Sequence, residues 1–357
     1  GDNGKRASAL EPPQGNIVNK PITYKHRIFF EEELNNAFSS GSGRTWFGRT
    51  LFPATFINLL DNLDRSDSVF YKFSVAHRTS DYGEFRISEN NNQIIKINLS
   101  AINTGDYEDA YRKEGSVTIP ASKIAADNRS ILLFDYFSSE TSGTGFFDWY
   151  EIQYPRHFVA INNELGFFSE PALVGITEYT ISNYSGTIYG YDVTDLKNPK
   201  LLTNLSTTNS VYVFKTDLLV NSPKRFFISS VVKKPSLEKI DFANLRETNG
   251  NAEVIIIVPN DFYSTAVKYK EYRATQNISV FIAKTDDIYN EYGSGISDPT
   301  AIRDFVADAY NRWDIKPKYL VLWGDGHFDF LNIQTNIKNY IPAYETNDKA
   351  NSTYSAI

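Results

Sequence analysis

An apolar run at residues 319–323 stops at Gly324-Asp325-Gly326-His327, and Asp329 follows two residues later. Histidine and carboxylates at a strand end could do three kinds of chemistry. His327 could act as a general base. Asp325 and Asp329, together with backbone carbonyls, could hold Ca²⁺. Asp325 could instead bind a substrate cation. The plainer reading is that Asp325 caps the turn and His327 packs against an aromatic such as Phe328, because a single strand-end Asp-Gly is a weak signal. The 357 residues contain no cysteine, so a Cys/His pair cannot be completed within them. His26, His77 and His157 each stand beside Arg or Lys in strand-like segments, none with a partner at ligand spacing, and read as structural or solvated. The glycine-rich stretch GSGRTWFG (41–48) lacks the Gly-Lys-Ser/Thr ending of a phosphate cradle and is rejected as a nucleotide site.

Whatever residues 324–329 do, they depend on the elements that hold them. VIIIV at 254–258 is an unbroken run of β-branched residues, as expected for a parallel strand buried on both faces. Phe262, Ala266 and Tyr269 follow at helical spacing, then the strand-like ISVFIA. The next helix is well marked. Asp298 can cap it and Pro299 suits its first turn. Ile302, Phe305, Val306, Ala309, Tyr310 and Trp313 form one apolar stripe. With KYLVLW as a third strand the order is β-α-β-α-β, which requires right-handed crossovers and a parallel sheet. The strand ends carrying Gly324 to Asp329 would then lie on the rim where open α/β sheets bind ligands, with Gly324 and Gly326 turning the chain at φ > 0.

The rest of the chain has a different texture. Short alternating segments such as QIIKINLSA and FFDWYEIQY are separated by loops rich in Ser, Asn and Gly, and aromatics reach 15% with 25 Phe and 23 Tyr. This is the pattern of an antiparallel β-sandwich. The expected organisation is a flexible arm at 1–20, a β-sandwich domain at 21–165, a second small β unit at 166–248, and an α/β segment at 249–357, with a polar linker at 244–253. Three strands and two helices make a thin domain, so the α/β fold is expected to continue past residue 357. The fold class is therefore multidomain: a β-rich sandwich N-terminal region followed by a partial α/β domain.

A net charge of −7 and a pI near 5.3, without a basic patch, argue against nucleic acid as a partner. No apolar run approaches the roughly 18 residues of a membrane span. The polar opening has no apolar core of a signal peptide and the chain has no Met, so it reads as a mature or recombinant fragment.

The stretch from EVIIIVP to GDGHFDF resembles the start of the peptidase domain of the gingipain family of cysteine peptidases. The matching pieces are VIIIVP, DDIYNEYGSGISDPTAIRDFVADAYNRW and PKYLVLWGDGHFDF. Upstream, SGRTWFG, DWYEIQYPR and GYDVTDLKNPK are similar to motifs of the family's surface sortases, which serve the type IX secretion system of Bacteroidetes. The resemblance implies a gingipain/caspase-like parallel sheet. It also implies a Cys thiolate that attacks a peptide carbonyl with a His exchanging the proton, both at later strand ends. No catalytic residue then lies in this chain, and Asp325, His327 and Asp329 occupy a structural, substrate-rim or Ca²⁺-binding position. No cofactor is required. The implied partners are protein cargo with a C-terminal signal domain, outer-membrane secretion partners and a lipopolysaccharide acceptor. The implied location is the cell surface or outer membrane of a Bacteroidetes-type bacterium. The alternative is a non-catalytic surface binding or scaffold protein that carries a gingipain-like half-domain.

The 357-residue chain alone is expected to show no turnover of gingipain-type peptide substrates. Turnover that survives repurification and disappears in His327→Ala would overturn that expectation.

Overall fold

The computed structural model describes residues 6–37, 45–103, 110–327, 329 and 332–344. Its first body is a sandwich of two four-stranded antiparallel sheets. One runs in the order Ala54–Leu59, Arg129–Ser138, Gly83–Glu89, Asn92–Leu99; the other runs Thr23–Glu31, Thr144–His157, Ser68–Arg78, Tyr111–Pro120. Strand alternation sends Tyr71, Phe73, Phe85, Ile87, Ile97, Leu132, Phe134, Tyr150, Ile152 and Tyr154 into one core between the sheets. The hairpin between Gly83–Glu89 and Asn92–Leu99 turns on Asn90 and Asn91, both at positive φ, a conformation asparagine tolerates. One carboxylate is fully buried in this core. Glu89 accepts from the Tyr71 hydroxyl (2.9 Å), Ser130 Oγ (2.6 Å) and the Ile131 amide (2.8 Å), which compensates its removal from water.

A second β unit has its own core around Phe167, Tyr179, Ile181, Tyr212, Phe214, Phe226 and Ile228. Its five-stranded sheet runs Ser8–Leu10, Lys200–Leu202, Tyr189–Asp192, Arg225–Ser229, Glu164–Phe168, and a two-stranded sheet pairs Gly175–Ser182 with Val211–Leu218. From residue 6 on, the stretch expected as a flexible arm at 1–20 is tied to the second β unit. Ser8, Ala9 and Leu10 pair in parallel with Lys200, Leu201 and Leu202, and the Val18 amide donates to the Ile176 carbonyl (2.8 Å). Short polar segments of this kind become ordered when a distant sheet offers an unpaired edge. The two β units also share a buried seam. Tyr24 and Phe158 belong to the second core, and the buried Arg156 donates to the Tyr24 hydroxyl (2.9 Å) and the Val159 carbonyl (3.2 Å).

The third body is α/β. Val254–Val258 is the central strand, paired in parallel with Val280–Lys284 on one side and Tyr319–Leu322 on the other. All five of its residues are buried. Val254, Ile256 and Val258 face helix α1 (Tyr263–Ala274) through Ala266, while Ile255 and Ile257 face the opposite layer. That layer holds α2 (Thr285–Tyr292) and α3 (Pro299–Arg312). Asp298 caps α3 by accepting from the Thr300 amide (2.7 Å), with Pro299 in the first turn. Two expectations need correction. The helix α2 was not anticipated, and Tyr310 points outward, 56% exposed, so the buried stripe is Ala301, Ile302, Phe305, Ala309 and then Trp313.

The polar stretch at 244–253 is not a loose linker. Leu245 and Ala252 are buried with the α/β core. The Trp313 indole donates to the Thr248 carbonyl (3.0 Å), and Arg246 donates to the Glu291 carbonyl (2.7 Å). The open connection lies just before it, at 231–243, where Val232, Leu237 and Phe242 are exposed and no regular element forms. Local polarity misplaced the boundary because the polar side chains and carbonyls of 244–253 have partners on α2 and α3.

Limited trypsin digestion should therefore cut first after Lys233 or Lys239 and leave a stable N-terminal β fragment; a first cut inside 244–253 would contradict this placement. Phe305→Ala empties a site in the α/β core and should cost about 3–5 kcal/mol of that body's stability. An unchanged melting transition for the α/β body would refute the packing described.

Candidate functional site at the carboxyl edge of the parallel sheet

The three parallel strands end on one rim. Asn260 and Asp261 follow the central strand, Asp286 and Asp287 follow Val280–Lys284, and Asp325 to Asp329 follow Tyr319–Leu322. Asn260 Nδ2 donates to Asp286 Oδ2 (2.7 Å), tying two strand ends together. Burial raises the Asp287 carboxyl above its ordinary range.

Residues 324–329 are stitched to the segment that returns at 337–341. The Asp325 carbonyl accepts from the Tyr340 amide (2.9 Å) and the Ile341 amide (3.2 Å), while its carboxylate accepts from the Gly326 amide (3.0 Å). Lys338 reaches across to Asp261 (2.6 Å), and the Tyr340 ring lies 4.7 Å from that of Phe262. Gly324 and Gly326 are not at positive φ, contrary to expectation. Close approach is what requires glycine at 326: a Cβ there would lie 2.1 Å from the Ile341 carbonyl oxygen.

His327 has both ring nitrogens engaged by backbone. Nδ1 accepts from the Asp329 amide (3.2 Å), which leaves the proton on Nε2 to donate to the Ile337 carbonyl (2.7 Å). In this arrangement neither nitrogen is directed at a substrate proton. The Phe328 ring, the expected packing partner, lies outside the described residues. Asp329 is fully buried. Burial pushes its carboxyl up, but amide bonds from Ile333 (2.8 Å), Thr335 (2.7 Å) and Gln334 (2.8 Å) outweigh this and hold it below the usual aspartate range. The sequence places Asp325, His327 and Asp329 together, and the structure keeps them in one loop, but each is turned toward that loop's own backbone. The sequence reading missed the amide cradle of Asp329 and the clamp at 337–341. Asn332, at positive φ between them, is the local signal of that turn. Among the described residues no group of three or more His, Cys, Asp or Glu is arranged to hold a metal ion.

The other histidines are structural in geometry. His26 lies against Tyr24 and Tyr154, and burial, with the Arg156 charge nearby, lowers its pKa to about 4. His77 Nε2 is 2.7 Å from the Ser100 carbonyl, and burial lowers its pKa. His157 Nδ1 is 3.3 Å from the Ile22 carbonyl.

The sequence profile of peptidase family C25 matches residues 247–357, the parallel sheet and its rim. The match covers 111 of the 357 residues and falls on the α/β segment. The chain as a whole has the fold of dimeric latent PorU from Porphyromonas gingivalis, with a TM-score of 0.80 at 18% identity over 97% of this chain. It spans 35% of that PorU chain. Two further solved structures are much more distant. The coat protein of Tobacco streak virus aligns at TM-score 0.19 and 8% identity, over 38% of this chain and 90% of its own. PNGF-II aligns at TM-score 0.22 and 9% identity, over 58% of this chain and 62% of its own. Neither carries an argument. No curated protein matches the chain. The residues matched by the profile include both the strands that build the rim and the loop that returns at 337–341.

The cradle gives a direct expectation. In Asp329→Ala the amides of Ile333, Gln334 and Thr335 should lose hydrogen-exchange protection by roughly tenfold or more, since bonds to a charged acceptor exceed neutral ones. The depressed carboxyl makes the wild-type protection pH-dependent. It is complete above the ordinary aspartate pKa of about 4 and is lost as pH falls through the lower folded-state value. Protection that ignores both the substitution and acid would show that the carboxylate does not hold the loop.

Proposed function

We propose that this chain is the N-terminal portion of a PorU-like cysteine endopeptidase and sortase of the gingipain family. The observation that carries the proposal is the coincidence of two matches: the C25 profile falls on the parallel sheet, and 97% of the chain follows the PorU fold. The parent enzyme would cleave the C-terminal signal domain from secreted cargo. A Cys thiolate outside these 357 residues attacks the peptide carbonyl, a His delivers the proton to the departing amine, and a thioester acyl-enzyme forms. An amine of the lipopolysaccharide acceptor, or water, then attacks that thioester and releases the thiolate. The protein would work at the cell surface of a Bacteroidetes-type bacterium, and no helix among the described residues is long and apolar enough to cross a membrane.

In this reading the chain supplies structure rather than the reacting groups. Its rim loop supports the sheet from which later strand ends present the Cys and His. Its two β units form a platform for cargo or for outer-membrane secretion partners. Asp325 and His327 then border the substrate cleft without taking part in proton transfer. Ca²⁺ would have to compete with three amides for Asp329.

The test uses the parent protein and a cargo that ends in its C-terminal signal domain. Mass spectrometry should find cargo shortened before that domain and joined to the acceptor, and thiol alkylation of the parent should abolish both products. A folded parent that binds cargo and leaves it intact would support a non-catalytic scaffold instead.

A further inference from the structure

The sandwich has four edge strands, and three of them are guarded by charge. Thr23–Glu31 carries Lys25, Arg27 and Glu31, Asn92–Leu99 carries Lys96, and Tyr111–Pro120 carries Arg112, Lys113 and Glu114. Charged side chains of this kind keep unpaired strand edges from meeting other chains. The fourth edge, Ala54–Leu59, reads ATFINL and carries no charge. It pairs with Arg129–Ser138 on one side only. The register fixes which of its backbone groups are free. The Leu60 amide donates to the Asn128 carbonyl (2.9 Å), and this pair continues the register of Leu59 with Arg129. Hydrogen-bonded pairs alternate along an antiparallel ladder. Ala54, Phe56 and Asn58 therefore bond inward to the neighbouring strand, while Thr55, Ile57 and Leu59 turn their N–H and C=O groups to the open edge. No described hydrogen bond engages those groups. The same three residues point their side chains away from the core. Ala54 and Phe56 are buried in it, whereas Ile57 is 62% and Leu59 51% exposed. Ile131 and Leu133, opposite Ile57 and Thr55, extend this aliphatic shelf onto the next strand.

We propose that this edge is an interface between two copies of the chain, paired strand to strand about a twofold axis. An occupant of the edge must be extended and must offer N–H and C=O groups at the same spacing. It must also bring aliphatic side chains to the same face. A second Ala54–Leu59 strand meets all three demands. Antiparallel pairing centred on Ile57 sets Ile57 opposite its twin and Thr55 opposite Leu59, so every free backbone group of the edge meets a complementary one. The twofold axis keeps the two aliphatic shelves on one face. Self-pairing brings like charges together when a strand carries them, and this strand carries none. The two four-stranded sheets become one, and each copy's open edge is used up, so association stops at two. A six-residue strand places the contact among the smaller, weaker interfaces. The proposal stands apart from the peptidase reading, because every residue it uses lies in the sandwich.

Sedimentation velocity on the full 357-residue chain, from micromolar to millimolar protein, should show a reversible monomer–dimer equilibrium and no larger species. Ile57→Lys sets two ammonium groups face to face at the centre and should raise the dissociation constant by roughly tenfold or more. Leu237→Lys, on the open connection, should leave it unchanged. The chain has no cysteine, so Ile57→Cys reports the register directly. Residues of a hydrogen-bonded antiparallel pair have Cα atoms about 5.5 Å apart, within disulfide reach. Air oxidation should link Ile57→Cys into a covalent dimer several-fold faster than Leu237→Cys, a site that is 90% exposed. Melting temperatures show whether each variant is folded. A chain that stays monomeric to millimolar protein would leave the edge to a different strand and overturn the proposal. Growth beyond dimers, an unchanged dimer in folded Ile57→Lys, or equal cross-linking of the two cysteine variants would overturn it as well.

Discussion

A five-residue strand buried on both faces sets the architecture of the α/β body. Val254–Val258 has no solvent-facing side, so it requires a layer above and a layer below. Ala266 of α1 closes one layer; Ile302, Phe305 and Ala309 of α3, with Ile288 of α2, close the other. Parallel neighbours follow, since the helices carry the chain back to the same end each time. The rim at the carboxyl ends is therefore a consequence of the buried strand. The rim's loops are then fixed by backbone bonds rather than by packing: the Asp325 carbonyl holds 340–341, His327 holds Ile337, and Asp329 gathers three amides. A group already committed on each side makes a firm support and a poor proton acceptor.

The β units follow the same logic with different chemistry. Each has an aromatic core of its own, yet Arg156 crosses the seam to Tyr24, whose ring lies in the second core. Breaking that contact would leave a buried guanidinium with fewer acceptors, which is costly in a low-dielectric interior. Relative to this seam, the junction to the α/β body is open, because 231–243 carries exposed apolar side chains and 244–253 belongs with α2 and α3.

Patterns that are local in sequence were readable in advance. Alternation at Tyr150, Ile152 and Tyr154, the β-branched run at 254–258, and Asp298-Pro299 before α3 each report on a single element. Features that depend on a distant partner were not. Ser8–Leu10 becomes a strand only because Lys200–Leu202 offers an edge. The stretch at 244–253 looks loose until Trp313 and Glu291 are placed beside it. Eight residues with two adjacent aspartates gave too short a period to declare α2. At the rim, the sequence brought Asp325, His327 and Asp329 together by adjacency. It could not show that Gly326 answers to the Ile341 carbonyl or that both His327 nitrogens are engaged.

Under the proposed function, this rim supports a catalytic site without supplying its proton carrier. The most direct measurement is kcat of the proposed parent peptidase after His327→Gln, with the melting temperature taken as the control for folding. The account predicts a folded variant whose kcat stays within a few-fold of the unsubstituted enzyme. A folded variant with kcat lowered by roughly 10²–10⁴, the loss expected for a general base, would contradict it.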